Sequence, residues 1–448
     1  MPHRLPKQLW DYMLGRPAFL LLSSFAATIL AGTLLLWLPF ATPAEDGLSL
    51  IDALFTSTSA VCVTGLIVVD TGTQLSLFGQ VVVVGLIQVG GLGIITISTF
   101  IALAIGANLG LRGEFAVQET MGEARSRSAL HLIRFVITGT FLVELVGVVV
   151  LTLLFNMWGF GPAEALYQAV FHTVSAFCNA GFSLFHDSMV RFDSMPAIPL
   201  TISLLFIFGG LGFSVLLAIF YSLLYRERFP YYPRIVLIAT FVLIVSGTAM
   251  IWALEYNHAF QDMPMETSLL HSFFQAVTPR TAGFNTFPIH EMSTGSLVVI
   301  IFLMFVGAGP GSTAGGVKIT TAVVLASVVW AVIRGRSRVV LSGRRISETM
   351  VYDAVALVGC SLLVVMAVFA FLSAIEPHPP IELLFESFSA FGTVGLSMGV
   401  TAELSSLGKV AITLLMYIGR VGPLTFLVLV RPTRQVQIDY PEAKMIIG

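Results

Sequence analysis

The sequence predicts an all-α integral membrane protein with four parallel membrane–pore–membrane repeats, that is, eight spans and four re-entrant pore half-helices around a pseudo-fourfold pore. Three observations predict this fold: the composition, the spacing of the apolar segments and a short string that occurs four times. The 448 residues are 56% hydrophobic and only 11% charged, with a mean hydropathy of +0.91. Soluble proteins carry about 25% charged residues. A soluble fold is therefore excluded.

Eight apolar segments are long enough to cross a membrane, which takes about 20 helical residues. They lie near 18–38, 74–106, 130–157, 196–225, 234–255, 294–333, 350–375 and 404–430. A shorter segment with hydroxyl, glycine or acidic residues separates the two members of each successive pair, at 49–60, 163–176, 266–277 and 381–391. Irregular backbone survives at membrane depth only where it lines a cavity or is buried in protein. We therefore interpret each short segment as a re-entrant half-helix.

The charges assign the two faces of the membrane. Eighteen of the 23 Lys and Arg residues fall in 1–16, 112–134, 226–234, 334–353 and 431–444. The opposite side has only three basic residues against 15 acids. By the positive-inside rule the basic side, with both termini, is cytoplasmic. An acidic outer mouth would concentrate cations, although an ordinary solvated loop is the plainer explanation for any single acid.

A related string ends each short segment. The four copies are SAVCVTGL (59–66), SAFCNAGF (175–182), VTPRTAGF (277–284) and SAFGTVGL (389–396). One copy would be an ordinary loop, but four copies between apolar spans indicate an internal repeat. The predicted divisions are a cytoplasmic N-terminus (1–16), repeats at 17–110, 111–230, 231–345 and 346–430, and a cytoplasmic C-terminus (431–448).

Four equivalent loops that converge on one axis suit a cation filter. Backbone carbonyls can replace the hydration shell of an ion, and one glycine per loop permits the positive φ of a tight bend. These glycines are Gly65, Gly181, Gly283 and Gly395. Half-helices that enter from the outer face would also direct their partially negative C-terminal ends at the ion.

These residues resemble a known family. The strings VCVTGLIVVDTGTQ, GLIQVGGLG, QAVTPRTAGFN, AFGTVGL and IGRVGPLT are similar to those of the K⁺ transporter superfamily that contains Trk, Ktr and plant HKT proteins. The resemblance covers essentially the whole chain. It is strongest to the membrane subunit of bacterial Ktr systems, because the two additional N-terminal spans of Trk-type subunits are not expected here.

The resemblance implies K⁺ transport by a homodimer in the bacterial inner membrane, with one pore per chain and membrane lipid around it. A cytoplasmic KtrA-like ring would bind the regulatory nucleotide, and this chain itself would bind neither nucleotide nor nucleic acid. Na⁺ often stimulates uptake in the family. Gly65 stands where plant relatives with Na⁺ preference have Ser, which favours K⁺. The carbonyls that would bind K⁺ are those of Val63, Thr64, Gly65, Asn179, Ala180, Gly181, Thr281, Ala282, Gly283, Thr393, Val394 and Gly395.

The sixth span is interrupted by GAGPGSTAGGVK, residues 307–318, which we name the glycine-rich loop. Each Gly costs about 1 kcal/mol and Pro310 about 3 kcal/mol in a helix interior, so no regular helix is expected. A phosphate-binding loop is excluded because Val317 follows the glycines in place of Lys and Ser or Thr. Close helix packing through small residues remains the alternative. We expect a gate that obstructs the inner pore, like the intramembrane loop of the family. Its predicted residues are Gly307, Gly309, Pro310, Gly311, Gly315, Gly316, Lys318 and Arg420.

Isolated charges within the spans are functional candidates, because a charge there costs at least about 2.5 kcal/mol. Arg420 is expected to approach carbonyls of the glycine-rich loop, with snorkelling to the interface as the alternative. Arg280 is expected to support the filter, through hydrogen bonds or by pairing with an acid such as Glu386. Glu144 has no predicted partner, and packing and function remain equally open for it.

These features favour transport over other functions. An enzyme would need an acid, a base and a nucleophile close together, whereas the spans offer isolated Glu144, Lys318 and Arg420. A structural or receptor protein would leave the four loops unexplained. The predicted function is K⁺ uptake, with a Na⁺ or poorly selective monovalent cation transporter as the alternative.

Overall fold

The computed structural model describes residues 17–43, 47–93, 129–226 and 229–422. The predicted terminal segments 1–16 and 431–448 lie outside the described residues. In chain order the helices are α1 (Pro17–Trp37), α2 (Leu50–Val61), α3 (Leu77–Leu92), α4 (Ala129–Trp158), α5 (Pro162–Phe177), α6 (Ala197–Leu211), α7 (Phe213–Tyr225), α8 (Tyr231–Glu255), α9 (Met265–Val277), α10 (Thr294–Phe305), α11 (Ile319–Ile333), α12 (Glu348–Ile375), α13 (Pro380–Gly392) and α14 (Ser406–Val421). A hairpin of strands β1 (Val340–Leu341) and β2 (Arg344–Arg345) joins α11 to α12.

One order of elements recurs four times: a first helix, a short helix, a loop and a second helix. The first helices are α1, α4, α8 and α12, and the short helices are α2, α5, α9 and α13. The second helices are α3, α6, α10 and α14. The strongest packing lies within these units, where α4 packs on α5, α8 on α9, and α1 on α2. The short helices are the most buried elements and form the centre of the molecule.

The short helices end within one residue of the limits predicted from the sequence. Each has an acidic residue in its first turn and no basic residue in its last turn; the four acids are Asp52, Glu164, Glu266 and Glu382. A carboxylate near a helix N-terminus stabilises the helix by opposing its dipole. The buried C-terminal ends therefore keep their partial negative charge.

The second helices end inside the apolar segments predicted from the sequence. Within 74–106, 196–225 and 404–430, the helices α3, α6 and α14 end at Leu92, Leu211 and Val421, and Gly93, Gly212 and Gly422 follow. These glycines have φ of 83°, 95° and 91°. A left-handed glycine terminates a helix without a steric penalty. After Gly212 the chain turns by 100° into α7.

Three helices of the described part are each long and apolar enough to cross a membrane: Ile133–Trp158 within α4, α8, and α12. The bent pair α6 and α7 would make a fourth. The other apolar helices of the described part are shorter pieces of 10–17 residues. Large apolar side chains such as Leu142, Phe241 and Leu363 are more than 60% exposed, as expected of a surface that faces lipid.

Two buried acids join the first helix of a repeat to its second helix. Glu255, at the end of α8, accepts hydrogen bonds from the Ser293 amide (2.9 Å) and hydroxyl (2.7 Å) before α10. Glu376, after α12, accepts the same pair from Ser405 before α14, at 3.1 and 2.6 Å. Each carboxylate lies where the helix N-terminus favours negative charge. These contacts hold the second helices beside the short helices.

Candidate ion-binding site

The four repeat glycines contact one another in a closed cycle, which we name the glycine ring. A Cβ added at Gly65 would lie 3.1 Å from the Cα of Gly181, and one at Gly181 would lie 2.9 Å from the Cα of Gly283. One at Gly283 would lie 3.2 Å from the Cα of Gly395, and one at Gly395 would lie 2.9 Å from the Cα of Gly65. Any side chain in the ring would displace the main chain of the next repeat. Glycine is therefore required here for close approach as well as for its φ.

Carbonyl oxygens lie between the ring glycines. The added Cβ atoms would each meet one carbonyl oxygen of the next loop, those of Ala180, Ala282, Val394 and Thr64. Within the described residues, no N–H or O–H group donates a hydrogen bond to the carbonyl of any of the twelve predicted filter residues. A buried carbonyl without a donor is unusual and costs free energy. Four of these carbonyls, those of Thr64, Ala180, Ala282 and Val394, lie directly beside the ring glycines and form a set of acceptors there.

The loop backbone alternates in the same way in all four copies. The glycine and the residue two positions before it both have positive φ: Val63 (56°) and Gly65 (93°), Asn179 (60°) and Gly181 (70°), Thr281 (74°) and Gly283 (76°), Thr393 (50°) and Gly395 (91°). Alternation of left-handed and right-handed residues turns successive peptide groups to one side of the chain. A left-handed residue other than Gly costs about 1–2 kcal/mol. Strain of this kind concentrates at functional sites.

A hydroxyl group at the end of the short helix braces each loop. Ser59 and Ser175 donate to the carbonyls of Leu66 and Phe182, both at 2.7 Å, immediately after the ring glycine. Ser389 accepts from the amide of Gly395 at 3.1 Å. In the third repeat Val277 occupies the serine position, and the next residue, Thr278, donates to the carbonyl of Phe284 at 2.5 Å. Sequence reasoning missed these hydroxyls, although the repeated S-A-x-C and S-A-x-G strings contain them.

Two repeats carry a further polar anchor at the same position, nine residues before the ring glycine. His172 contacts the hydroxyl of Ser183 at 3.0 Å. Glu386 is fully buried and accepts from Ser397 (2.5 Å), from the Met398 amide (3.2 Å) and from Thr401 (2.8 Å). Ser183 and Ser397 are both two residues after the ring glycine. Glu386 thus holds the segment that leaves the fourth loop.

The suggested pairing of Arg280 with Glu386 is wrong. Arg280 is 6% exposed, and its Nη2 donates to the hydroxyl of Thr240 on α8 at 3.2 Å. Its side chain therefore contacts the first helix of its own repeat, and the oxygens of Glu386 accept from Ser397, Met398 and Thr401. The Nε of Arg280 has no partner within the described residues. Arg280 thus links the third loop, three residues after the end of α9, to α8.

The glycine-rich loop packs against the second and fourth filter loops. The hydroxyl of Thr313 donates to the side-chain oxygen of Asn179 at 3.0 Å. A Cβ added at Gly316 would lie 3.2 Å from the Cα of Gly392, and one at Gly315 would meet the side chain of Thr393. The loop is also tied to α6, since the amide of Gly309 donates to the carbonyl of Gly210 at 2.9 Å. It therefore adjoins the predicted filter directly.

Two cationic side chains bind carbonyls of the glycine-rich loop. Arg420 donates to the carbonyl of Thr313, and its Nη2 donates to the carbonyl of Gly90 at 2.5 Å. Lys318 donates to the carbonyl of Ala314 at 2.6 Å. Arg420 thus joins the loop to the ends of α3 and α14, and Lys318 closes the loop on itself. The sequence pointed to both cations, but not to Thr313 or Gly90 as their partners.

Glu144 lies inside the membrane-spanning part of α4 and is 5% exposed. Its Oε1 has no hydrogen-bond partner within the described residues, and neither has Nε2 of Gln88. The amide oxygen of Gln88 accepts from the thiol of Cys178 at 3.7 Å, directly beside the second filter loop. Cys62 and Cys178 are both free and buried.

The fold and this site define a helical membrane protein in which four similar loops bring main-chain carbonyls together, an arrangement typical of proteins that conduct ions. Comparison with known proteins gives the family. The TrkH family model, described as a cation transport protein, matches residues 17–437. The chain therefore belongs to the TrkH family of cation transport proteins. This is a family of transporters and not of enzymes, as the sequence predicted.

Individual relatives match over nearly the full length. The Ktr system potassium uptake protein B of Bacillus subtilis is 39% identical over 435 residues, which cover 96% of this chain and 97% of that protein. The potassium/sodium uptake protein NtpJ of Enterococcus hirae is 34% identical over 440 residues, or 96% and 97% of the two chains. The crystal structure of the potassium transporter TrkH from Vibrio parahaemolyticus has a TM-score of 0.69 at 22% identity, covering 92% of this chain and 85% of that one. The last match shows a shared fold.

Proposed function

We propose that this chain takes up K⁺ across a bacterial cell membrane, through a filter made of the carbonyl oxygens around the glycine ring. The observation that carries the proposal is the set of twelve predicted filter carbonyls that accept no hydrogen bond within the described residues. A partly dehydrated monovalent cation would supply the positive charge that these oxygens lack. The relatives named for potassium uptake support K⁺ as the ion.

The short helices would add to the attraction for a cation. Each begins with an acidic residue and ends, buried, next to a ring glycine, so its partially negative C-terminal end adjoins the loop. The side chain of Arg280, a buried cation beside the third loop, donates to Thr240 on α8. A positively charged side chain directed at the bound cation would repel it.

The glycine-rich loop would act as the gate of this pathway. It adjoins the second and fourth filter loops, and Arg420 and Lys318 hold its carbonyls. For the proposed gate to open, the hydrogen bonds of Arg420 and Lys318 to the loop would have to break, or these side chains would have to move with the loop. The proposed gate is thus held through one arginine that also contacts the end of α3.

The proposed assembly follows the Ktr resemblance. Two copies would form a homodimer with one pore each, and a cytoplasmic ring of nucleotide-binding subunits would control the gate. The proposed repeats are 17–110, 111–230, 231–345 and 346–430, with both termini cytoplasmic. One regulatory contact would be made by the basic segment 334–345, for which attraction to anionic lipid is the alternative explanation.

A Na⁺ or poorly selective cation pathway is the second candidate. It is favoured by one relative, which is named for potassium and sodium uptake. Carbonyl rings of this kind bind either ion, and the choice depends on small differences in the spacing and field of the oxygens.

Rubidium uptake into a bacterial strain that lacks its own K⁺ uptake tests the proposal. We expect the native chain to restore growth at low K⁺ and Gly65→Ser to lose the preference for Rb⁺ over Na⁺, because its side chain would displace the second loop. Gly399→Ser is the matched control: it also has a positive φ (102°), but open space surrounds its Cβ position. If Gly399→Ser loses the preference for Rb⁺ over Na⁺ as fully as Gly65→Ser does, the proposed filter is contradicted. Equal Rb⁺ and Na⁺ uptake by the native chain would favour the second candidate.

A further inference from the structure

A cavity of about 510 Å³ opens between the hairpin and three helices on the basic side of the molecule. The hairpin contributes Leu341, Arg344 and Arg345, and the beginnings of α8, α11 and α12 form the walls. Its volume lies within the range of about 300–1,000 Å³ that is usual for small-molecule sites. None of the residues that line the cavity belongs to the glycine ring, to the proposed filter or to the proposed gate.

The inner wall of the cavity is apolar. It is formed by side chains from one face of each helix, among them Ile235 on α8, Val323 and Val324 on α11, and Leu357 on α12. Thr320 and Thr321 at the beginning of α11 add two hydroxyl groups to the lining. The apolar part of the wall would accept a hydrocarbon chain.

The rim of the cavity carries a fixed guanidinium group. Arg344 lies over the ring of Tyr231, with 4.6 Å from Cζ to the ring centroid. The Tyr231 hydroxyl in turn donates to the carbonyl of Leu341 at 2.5 Å, so the ring and the hairpin hold each other. Arg344 has no acidic partner within the described residues, whereas Arg345 pairs with Glu348 at 3.2 Å. The N–H groups of Arg344 therefore remain available to an anion.

The surrounding charge is positive. The stretch 334–353 contains five arginines and two acids, Glu348 and Asp353, of which Asp353 also lines the cavity. Tyr231 and Tyr232 begin α8, at the level where aromatic residues commonly lie at a membrane interface. An apolar pocket between helices with basic residues at the interface is the arrangement that binds the head groups of anionic lipids.

We propose that this cavity is a binding site for one anionic glycerophospholipid. Its phosphate would accept hydrogen bonds from Arg344, and one acyl chain would lie against Val323, Val324 and Leu357. Such a lipid would join the hairpin to α8 and α11, and α11 directly follows the glycine-rich loop. The site does not depend on which cation the filter selects.

Native mass spectrometry of the full chain in detergent, with phosphatidylglycerol added, tests the site. We expect Arg344→Gln to reduce retained phosphatidylglycerol about tenfold, since a hydrogen bond to a charged group contributes roughly that factor. Arg334→Gln is the matched control, because Arg334 lies over Trp330 in the same way, at 4.5 Å, but does not line the cavity. It should leave retention unchanged. Equal loss in both variants would overturn the proposal in favour of general attraction to basic surface.

A second pair of variants tests the apolar wall. Val324→Trp fills the cavity and should abolish retention of the lipid, whereas Val329→Trp lies on the exposed side of the same helix and should not. Thermal unfolding of each variant without lipid verifies that it folds. Retention by Val324→Trp equal to that of the native chain would overturn the proposal.

The source of the phosphate and the class of ligand are distinguished by three further outcomes. Phosphatidylcholine, or inorganic phosphate alone, should not raise the unfolding temperature as phosphatidylglycerol does. An equal rise with either would overturn the proposal. If Arg344→Gln keeps the lipid but loses co-purification with a soluble regulatory subunit, the cavity is a protein-docking surface and the lipid proposal is wrong.

Discussion

The third repeat differs from the other three at the point where the second helix ends. In the first, second and fourth repeats, Gly90, Gly209 and Gly419 pack directly on a carbonyl near the end of their own short helix, and a left-handed glycine follows three residues later. In the third repeat α10 stops at Phe305 and the glycine-rich loop begins.

The loops that carry the four ring glycines, by contrast, are nearly equivalent in all four repeats. Each has the same alternation of φ and the same contact with the next loop. A filter that surrounds an ion needs four similar faces, whereas a gate needs one part that can move independently. The repeats are therefore alike at the glycine ring and differ beside it.

The other three repeats hold the divergent segment. Thr313 contacts Asn179 of the second repeat, and Arg420 of the fourth repeat contacts both Thr313 and Gly90 of the first. Changes at these contacts should affect gating, and changes at the loop anchors should affect the filter. The following predictions test that separation.

The largest effect is expected at Glu386. Glu386→Leu would leave the Ser397 hydroxyl and the Met398 amide without their acceptor, whereas Thr401 would keep its contact with the Ser397 hydroxyl at 3.1 Å. Each orphaned donor costs about 1–3 kcal/mol. We expect loss of Rb⁺ uptake and a lower unfolding temperature. Glu403→Leu, at an exposed site in the following segment, is the control and should retain uptake. Normal uptake by Glu386→Leu would refute the role of this anchor.

Deletion of residues 311–315 is expected to raise the rate of Rb⁺ uptake several-fold. The deletion removes the part of the glycine-rich loop that adjoins Asn179 and Thr393, while the filter loops keep their own hydroxyl braces. Uptake is measured at equal amounts of protein in the membrane. Unchanged flux at normal expression would remove the gate from the proposed mechanism.

A smaller rise in uptake is expected from Arg420→Gln. The variant weakens the contacts with the carbonyls of Thr313 and Gly90, and so loosens the loop without removing it. Lys318→Gln is the comparison, because Lys318 bonds only within the loop, to Ala314 and Gly315. It should change the uptake rate less than Arg420→Gln does. The reverse order would show that Arg420 does not couple the loop to α3.

The smallest effect is expected at Thr278. Thr278→Val keeps the shape of the side chain and removes its hydrogen bond to the carbonyl of Phe284, at a cost of about 1 kcal/mol in stability. We also expect a small shift in Rb⁺ over Na⁺ preference. Thr201→Val, whose hydroxyl bonds only to its own helix at Ala197, should change neither. A shift in Thr201→Val as large as in Thr278→Val would show that the brace is not specific to the filter.

Much of the architecture could be predicted from the sequence, because local patterns determine it. Apolar runs set the first helices, and an acid in the first turn with a hydroxyl-and-glycine ending sets the limits of the short helices. The four glycines could be found because positive φ and close approach leave glycine as the one suitable residue. Hydropathy alone could not locate the ends of α3, α6 and α14 inside longer apolar segments, because an apolar run hides a helix break.

Only the tertiary structure decided which groups meet. The order of contacts around the glycine ring joins residues more than a hundred positions apart, and no local pattern encodes it. The same holds for Arg280, which packs on Thr240 and not on Glu386, and for Arg420, which reaches both Thr313 and Gly90. The sequence by itself determined where the chain is helical, apolar or free to bend, since those properties depend on neighbouring residues. The packing of separate helices chose the partners, because a buried charge or carbonyl takes whichever group the fold brings within reach.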